Sequence, residues 1–370
     1  MTINKKSVGQ AKKRILIRAP NWIGDQVLAY PFFHFLRETY PDAHIAVACV
    51  HWVQSLQFRN LIDEVFILPK AESSGLFAQW QALEKAAKTL QQAGKWDLGI
   101  CLPNSFSSAW LLFRSGVKER RGYQSDGRTF LLTHGLKQEP KGVTHRTEAY
   151  LRLLTERKIS RRVIEEFWGV PPTHEMDLGI EGVLSEFDAD QAWPSFQVFE
   201  PPTEPYWVLA PGSAADSRRW PIDRFATLAR KITERTGWKG VIVGGAAEAV
   251  LAERLLEYGG LKLENWTARG TVPAYWKIFR QAQFSVCNDS GLAHVASLCG
   301  SPVFITWGAG HPSRTKPIGP GKVNLILNPV ECWPCERNSC QLPPTVEPYQ
   351  CLKGIDVDLI WKEIQAEIRI

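Results

Sequence analysis

Along the chain, short apolar runs alternate with longer stretches in which apolar residues recur at helical spacing. The first series reads RILIRA, a helical stretch over residues 27–39, HIAVACV, VFILP, a second helical stretch over 77–93, and DLGICLP. Strand-length runs separated by helix-length segments predict βαβ units, because parallel neighbours need a crossover long enough to return the chain. After the proline-rich PPTEPY the rhythm resumes: WVLAPG, a helix over 222–236, GVIVGG, a helix over 248–258, then strands at FSVCND and PVFITWG. The pattern predicts two α/β domains with parallel sheets, residues 1–192 and 207–354, joined by a linker over 193–206 that is rich in proline and poor in periodicity. Residues 355–370 predict a terminal helix whose docking place is not encoded in the pattern. There is no tandem repeat, heptad pattern or low-complexity tract.

Composition adjusts this picture only modestly. The 370 residues are 44% hydrophobic and 22% charged, as in ordinary globular proteins. A net charge of +6 suits phosphate-bearing ligands or an anionic membrane face, and serves simple solubility equally well; it does not point to nucleic acid. The start, MTINKKSVGQAKKR, is basic and runs into ILIRAP without a signal-peptide core, and no apolar run reaches spanning length. A cytoplasmic location is expected, with any membrane association peripheral.

Four strand-to-helix turns carry candidate chemistry, because ligands gather at the carboxyl ends of strands in open α/β sheets and helix N-termini offer free N–H groups. In APNWIGDQVLAYP, Asp25 reads either as a helix cap or as a general base. This turn lacks GxGxxG, so it carries no dinucleotide fingerprint. In PGSAADSRRWP, Arg218 and Arg219 follow a Gly-Ser turn suited to gripping a diphosphate, or form a solvated pair. In CNDSGLAHVA, Asn288, Asp289, Ser290 and Gly291 precede a helix on which His294 shares a face with Ser290. In GVIVGGAAEAV, Glu248 stands where it reaches ribose hydroxyls or simply opens a helix.

Taken together, IRAPNWIGDQVLAYP, LPNSFSSAWLLFRSGVKERRGY, PGSAADSRRWP and NDSGLAHVA resemble the ADP-heptose:lipopolysaccharide heptosyltransferases, most closely the heptosyltransferase II branch. The resemblance implies a GT-B architecture of two facing Rossmann-like domains, with metal-independent, inverting transfer of L-glycero-D-manno-heptose from ADP-heptose to heptosylated Kdo-lipid A. It implies Asp25 as catalytic base, with Ser213, Arg218, Asp289, Ser290, Gly291 and His294 around the donor and Glu248 near the ribose. No cofactor is expected. Where the family usually has Lys two residues before Trp-Pro, this chain has Arg218, a planar fork in place of a point ammonium. The N-terminal half should meet the acceptor, with Asn104, Ser105, Arg120 and Arg121 as candidate contacts. Arg114, Lys118, Arg120, Arg121, Arg128, Lys137, Lys141, His145 and Arg146 concentrate positive charge suited to a phosphorylated lipid and the anionic inner-membrane surface, or to a solvated basic face. The alternatives are a GT-B transferase using another nucleotide-sugar and a binding protein without turnover.

Cys332, Cys335, Cys340 and Cys351 lie within twenty residues, one pair as CxxC. Their spacing is compatible with a structural metal site, a disulfide or free thiols, and implies no catalytic metal.

Overall fold

The computed structural model describes residues 12–138, 144–154, 178–194, 198–343 and 345–370. The chain forms two compact units. One takes in residues up to 21, 33–54 and 60–138; the other takes in 22–32, 55–59 and 139–370.

The first unit holds a six-stranded parallel sheet: β1 Arg14–Arg18, β2 His44–Cys49, β3 Glu64–Ile67, β4 Leu98–Cys101, β5 Glu119–Gln124 and β6 His134–Lys137, in the order β3-β2-β1-β4-β5-β6. Ile15, Leu16 and Ile17 of β1 are all fully buried, as a parallel strand covered on both faces requires. Helices α3 (Leu76–Gln92) and α4 (Phe106–Arg114) pack together, and their inner faces meet Leu16, Ala46 and Trp96 in the core. The Trp96 indole N–H donates to the Leu90 carbonyl at 2.8 Å, satisfying its one polar atom.

The second unit repeats the plan with β7 Tyr206–Ala210, β8 Lys239–Ile242, β9 Leu263–Asn265, β10 Ser285–Asn288, β11 Val303–Trp307 and β12 Val323–Leu327, in the order β12-β11-β10-β7-β8-β9. Read from the opposite edge, this is the same 3-2-1-4-5-6 succession as the first sheet. Both sheets therefore reverse direction between their first and fourth strands, the switch point where such folds bind ligands. Two early segments belong to this unit because Tyr30 meets Phe187 edge-on at 5.0 Å, and Phe58 meets Phe187 edge-on at 6.5 Å and stacks on Trp193 at 6.1 Å between centroids. Segment 22–32 carries the short helix α1 (Ile23–Leu28) and the start of α2 (Tyr30–Thr39), and α5 (Arg146–Leu151) follows later in the chain.

Helix α6 (Ile222–Thr236) stops at Gly237, whose φ of 69° is a left-handed conformation that favours glycine. The terminal helix α10 (Val357–Ile368) lies on α6, burying Ile360, Trp361 and Ile364 in the core of the second unit. That contact supplies the docking place left open by its pattern. The longer helices between them are α7 (Ala249–Glu257), α8 (Trp276–Gln281) and α9 (Gly291–Leu298), with single helical turns at Pro312–Thr315 and Gln350–Lys353. Among the described residues, no helix is long and apolar enough to cross a membrane.

Candidate donor site at the switch point of the second sheet

Strands β7 and β10 are neighbours, so the segments that leave their carboxyl ends, Pro211–Ser213 and Asn288–Gly291, are brought side by side. Asn288 ties them together. Its amide donates to the Pro211 carbonyl at 2.6 Å, and its Oδ1 accepts from the Trp220 N–H at 2.9 Å and the Thr306 hydroxyl at 2.8 Å. The Ser213 hydroxyl then donates to the Asp289 carbonyl at 3.1 Å, and Arg219 Nε to the Ser213 carbonyl at 2.7 Å. Asn288, Ser213 and the Asp289 backbone are thus tied across the two turns, which preorganises the site.

Glu248 joins from the turn after β8. Its carboxylate accepts the Gly245 N–H at 2.8 Å, and a Cβ on Gly212 would fall 2.2 Å from Glu248 Cγ. Glycine at 212 is what lets Glu248 lie against the Ser213 turn.

Helix α1 closes the other side against α9. A Cβ on Gly24 would lie 2.8 Å from His294 Cδ2, and one on Gly291 would lie 2.6 Å from Ile23 Cβ. The two helices cross almost backbone to backbone, and this crossing brings Asp25 to α9. Trp22, not Asp25, occupies the N-cap of α1. The Asp25 carboxylate instead stands 3.4 Å from Arg146 Nε on α5. The structure therefore gathers Asp25, Ser213, Arg218, Glu248, Asp289, Ser290, Gly291 and His294 around one set of strand ends.

The site's electrostatics are unusual for a protein interior. Asp289 is buried, and desolvation pushes its carboxyl up to about 6 against the opposing pull of Arg218. Arg218 Nε is 3.3 Å from Asp289 Oδ2, yet neither atom is aligned for a hydrogen bond. The Ser290 hydroxyl and His294 Nδ1 are likewise buried without a partner. Burial, with the neighbouring charges of His145 and Arg218, lowers His294 to about 3, so its imidazole is neutral at physiological pH. Buried polar atoms are normally hydrogen-bonded; the Ser290 hydroxyl and His294 Nδ1 have no partner, and Arg218 and Asp289 meet only as an unaligned ion pair, an arrangement with hydrogen-bonding capacity left for a polar ligand.

The candidate acceptor residues lie in the first unit and carry other bonds. Ser105 caps α4, its hydroxyl accepting from Ser108 N, and Asn104 Oδ1 accepts from Arg128 at 3.3 Å. Arg120 spends its guanidinium on the Leu131 and Val117 carbonyls, each at 2.6 Å, while Arg121 pairs with Glu119 at 2.6 Å. In the second unit, His145 is buried, its Nε2–H donating to the Lys316 carbonyl at 2.9 Å, and burial lowers it to about 4. His145 and Arg146 are therefore parts of the interior and of the Asp25 pair, not of a solvated basic face. Lys141 falls outside the described residues.

Gly310 and Arg146 are not singled out by sequence for this site, and Asn288, named there as part of its turn, proves to be the clamp between the two turns. Gly310 matters because a Cβ there would sit 2.5 Å from Asp289 Oδ2. Trp220, Trp276 and Trp307 are buried, and Trp22 is exposed beside Ile23 and Gly24.

All eight cysteines are free thiols, and among the described residues no group of three or more His, Cys, Asp or Glu is arranged to hold a metal ion. The Cys351 thiol is pushed up by burial and by the proximity of Cys335, Cys332 and Cys340. The loop that carries three of them supports the donor turn. Ser217 N donates to the Asn338 carbonyl at 3.2 Å, Ser217 Oγ to the Arg337 carbonyl, and Trp333 Nε1 to the Gly308 carbonyl at 2.8 Å.

Two sheets of Rossmann order, with strand-to-helix turns gathered at the second switch point, define a protein of the GT-B class. The chain belongs to glycosyltransferase family 9 (heptosyltransferase), whose sequence profile matches residues 83–346. It is similar to lipooligosaccharide heptosyltransferase 2 of Haemophilus ducreyi, 24% identical over 325 residues that cover 85% of this chain and 88% of that protein. Lipopolysaccharide heptosyltransferase 2 of Escherichia coli K12 is 23% identical over 323 residues, covering 82% and 85%. In fold it is similar to the solved E. coli ADP-heptose LPS heptosyltransferase II, with a TM-score of 0.71, 22% identity and coverage of 96% and 98%. E. coli heptosyltransferase WaaC, solved with ADP-2-deoxy-2-fluoro heptose, gives a TM-score of 0.63 at 16% identity, covering 96% and 99%.

Proposed function

We propose that this chain transfers L-glycero-D-manno-heptose from ADP-heptose to the heptosylated Kdo-lipid A inner core of lipopolysaccharide, with inversion and without a catalytic metal. The observation that carries the reading is the group of buried atoms without a hydrogen bond on Arg218, Asp289, Ser290 and His294 at the end of β7 and β10. The 2-type heptosyltransferase relatives and the ADP-sugar in the WaaC structure support the donor and acceptor.

In this reading the diphosphate sits against the Ser213 turn and the start of α9, where backbone N–H groups and the Arg218 guanidinium meet its oxygens. The charge of Arg218 and the α9 N-terminus supplies what a metal supplies elsewhere. Ser290 and neutral His294 hydrogen-bond the donor, and Glu248 accepts from the ribose hydroxyls. The acceptor hydroxyl attacks C1 of the heptose as the bond from C1 to the β-phosphate oxygen breaks. ADP leaves with the electron pair, and the hydroxyl proton passes to Asp25, which Arg146 holds in place. Attack opposite the leaving group inverts C1. The first unit meets the acceptor at the carboxyl end of β4, where Asn104 and Ser105 stand; Arg120 and Arg121, in the first half of β5, keep their guanidinium groups on the Leu131 and Val117 carbonyls and on Glu119 and take no part.

The test is ADP release from ADP-heptose with a soluble truncated acceptor. Turnover that survives chelators, with an inverted product anomer by NMR, is expected. Preference for another nucleotide-sugar, or donor binding without ADP release, would overturn the assignment.

A further inference from the structure

Helix α4 is apolar on two sides. Ala109, Leu111 and Leu112 enter the core of the first unit, Phe106 and Trp110, one helical turn apart, are half-buried at its edge, and Phe113 is exposed. These rings link the exposed ones into a continuous aromatic surface. Phe130 lies 6.3 Å from Phe106, Phe106 6.0 Å from Trp110, and Trp110 4.8 Å from Trp80 on α3 and 5.8 Å from Phe113. One turn before Trp80, the start of α3 adds Leu76 and Phe77, which are 87% and 73% exposed; Phe130 is also 73% exposed. The Trp110 indole N–H is satisfied by Glu84 at 2.6 Å, which leaves its faces apolar. Scattered exposed apolar residues need no explanation, but a contiguous patch of this kind marks an interaction surface.

Its surroundings are cationic. Of the six Lys and Arg over residues 106–138, Arg121 and Arg128 are buried, Lys137 is exposed, and Arg120 sits over the Phe113 ring at 5.4 Å. Lys118 and Arg114 are exposed at the rim, within ion pairs to Asp97 and Glu84. Aromatic side chains flanked by Lys and Arg are the composition that settles at the headgroup level of a bilayer. We propose that Leu76, Phe77, Trp80, Phe113 and Phe130 form a membrane-docking face that inserts shallowly into an anionic bilayer. This rests on the reading of the acceptor as a lipid, since it places the first unit on the surface where such an acceptor resides.

The experiment sediments the full chain with vesicles of phosphatidylglycerol and phosphatidylethanolamine, and with neutral phosphatidylcholine vesicles, comparing wild type with a Phe77→Ser/Phe130→Ser double variant and with Leu76→Ser. Wild type is expected to bind the anionic vesicles more tightly than the neutral ones. The double variant should bind them about tenfold or more weakly, because each ring withdrawn from lipid loses a large apolar area. Melting temperatures should be unchanged, since these side chains are outside the core. Both variants should keep wild-type transfer to the soluble acceptor and lose it only on acceptor embedded in vesicles. Equal vesicle binding by wild type and both variants overturns the proposal. So does a wild-type dimer in sedimentation velocity that the double variant dissociates, which would assign the face to a second copy. A wild type that binds vesicles but does not turn over the soluble acceptor overturns the catalytic reading and leaves the docking face standing.

Discussion

Replacing Gly24 by alanine tests the helix crossing that brings Asp25 to the donor site. In an unconstrained helix the change would be favourable by about 1 kcal/mol, because alanine loses less backbone freedom than glycine. Here the new Cβ would stand 2.8 Å from His294 Cδ2 and 2.9 Å from Nε2, closer than atoms tolerate, and His294 is itself buried. Forcing a methyl into such a contact costs about 1–3 kcal/mol. The net expectation is a loss of about 1 kcal/mol, or roughly 2–4 °C in melting temperature. ADP binding should weaken as well, because the methyl displaces a residue that lines the site. Gly182 gives the control. It is helical with open space around its would-be Cβ, so Gly182→Ala should follow propensity and stabilise. Scanning calorimetry and isothermal titration with ADP read both effects. If Gly24→Ala melts higher than wild type with unchanged ADP affinity, α1 and α9 do not meet as described.

Further expectations concern charge. His294 and His145, lowered to about 3 and about 4, stay neutral when the unfolded chain protonates near pH 6.5, so stability falls as pH drops below 6.5. At pH 5 each should cost about 2 kcal/mol, and His294→Gln should flatten the melting-temperature profile between pH 6.5 and 4; an unchanged slope would contradict the burial argument. Asp289 has the opposite sign: raised to about 6, it strains the native state above that pH and ceases to do so as pH falls towards 4. Asp289→Asn should therefore stabilise the chain by about 1–3 kcal/mol at pH 7.5 and by nothing near pH 4, while weakening donor binding. Asp25→Asn should reduce transfer by at least about 100-fold with donor affinity retained, and near wild-type turnover would remove it as the base. Ser217→Ala, which deletes a bond to the cysteine loop, should cost about 1 kcal/mol and loosen ADP binding.

Strands buried on both faces announce themselves as apolar runs, which is why β1, β2, β4, β7, β8, β10 and β11 are legible; the edge strand β3 is legible as well, from VFILP, although partly exposed. Strand β5 is not. It reads ERRGYQ, and its Arg121 is buried beside Glu119, which neutralises it two residues away. Strands β6 and β9 are edge strands with partly exposed residues, so no run of apolar positions was required of them. Strand β12, VNLIL, does carry a signal, an apolar run before the cysteine loop. The candidate donor residues were legible because each follows an apolar strand, which fixes its place at the sheet's carboxyl edge. What held them together was not. The Asn288 clamp, the Asp25 to Arg146 pair and the contact of Gly24 with His294 all join residues distant in sequence, and periodicity reports only on neighbours along the chain.

The central claim is that an ADP-linked sugar is held at the carboxyl ends of β7 and β10. Calorimetric titration of ADP-heptose into wild type and Arg218→Ala tests it most directly. The account predicts at least about tenfold weaker binding for the variant, the loss of a charge-assisted contact to phosphate; equal dissociation constants would place the donor elsewhere.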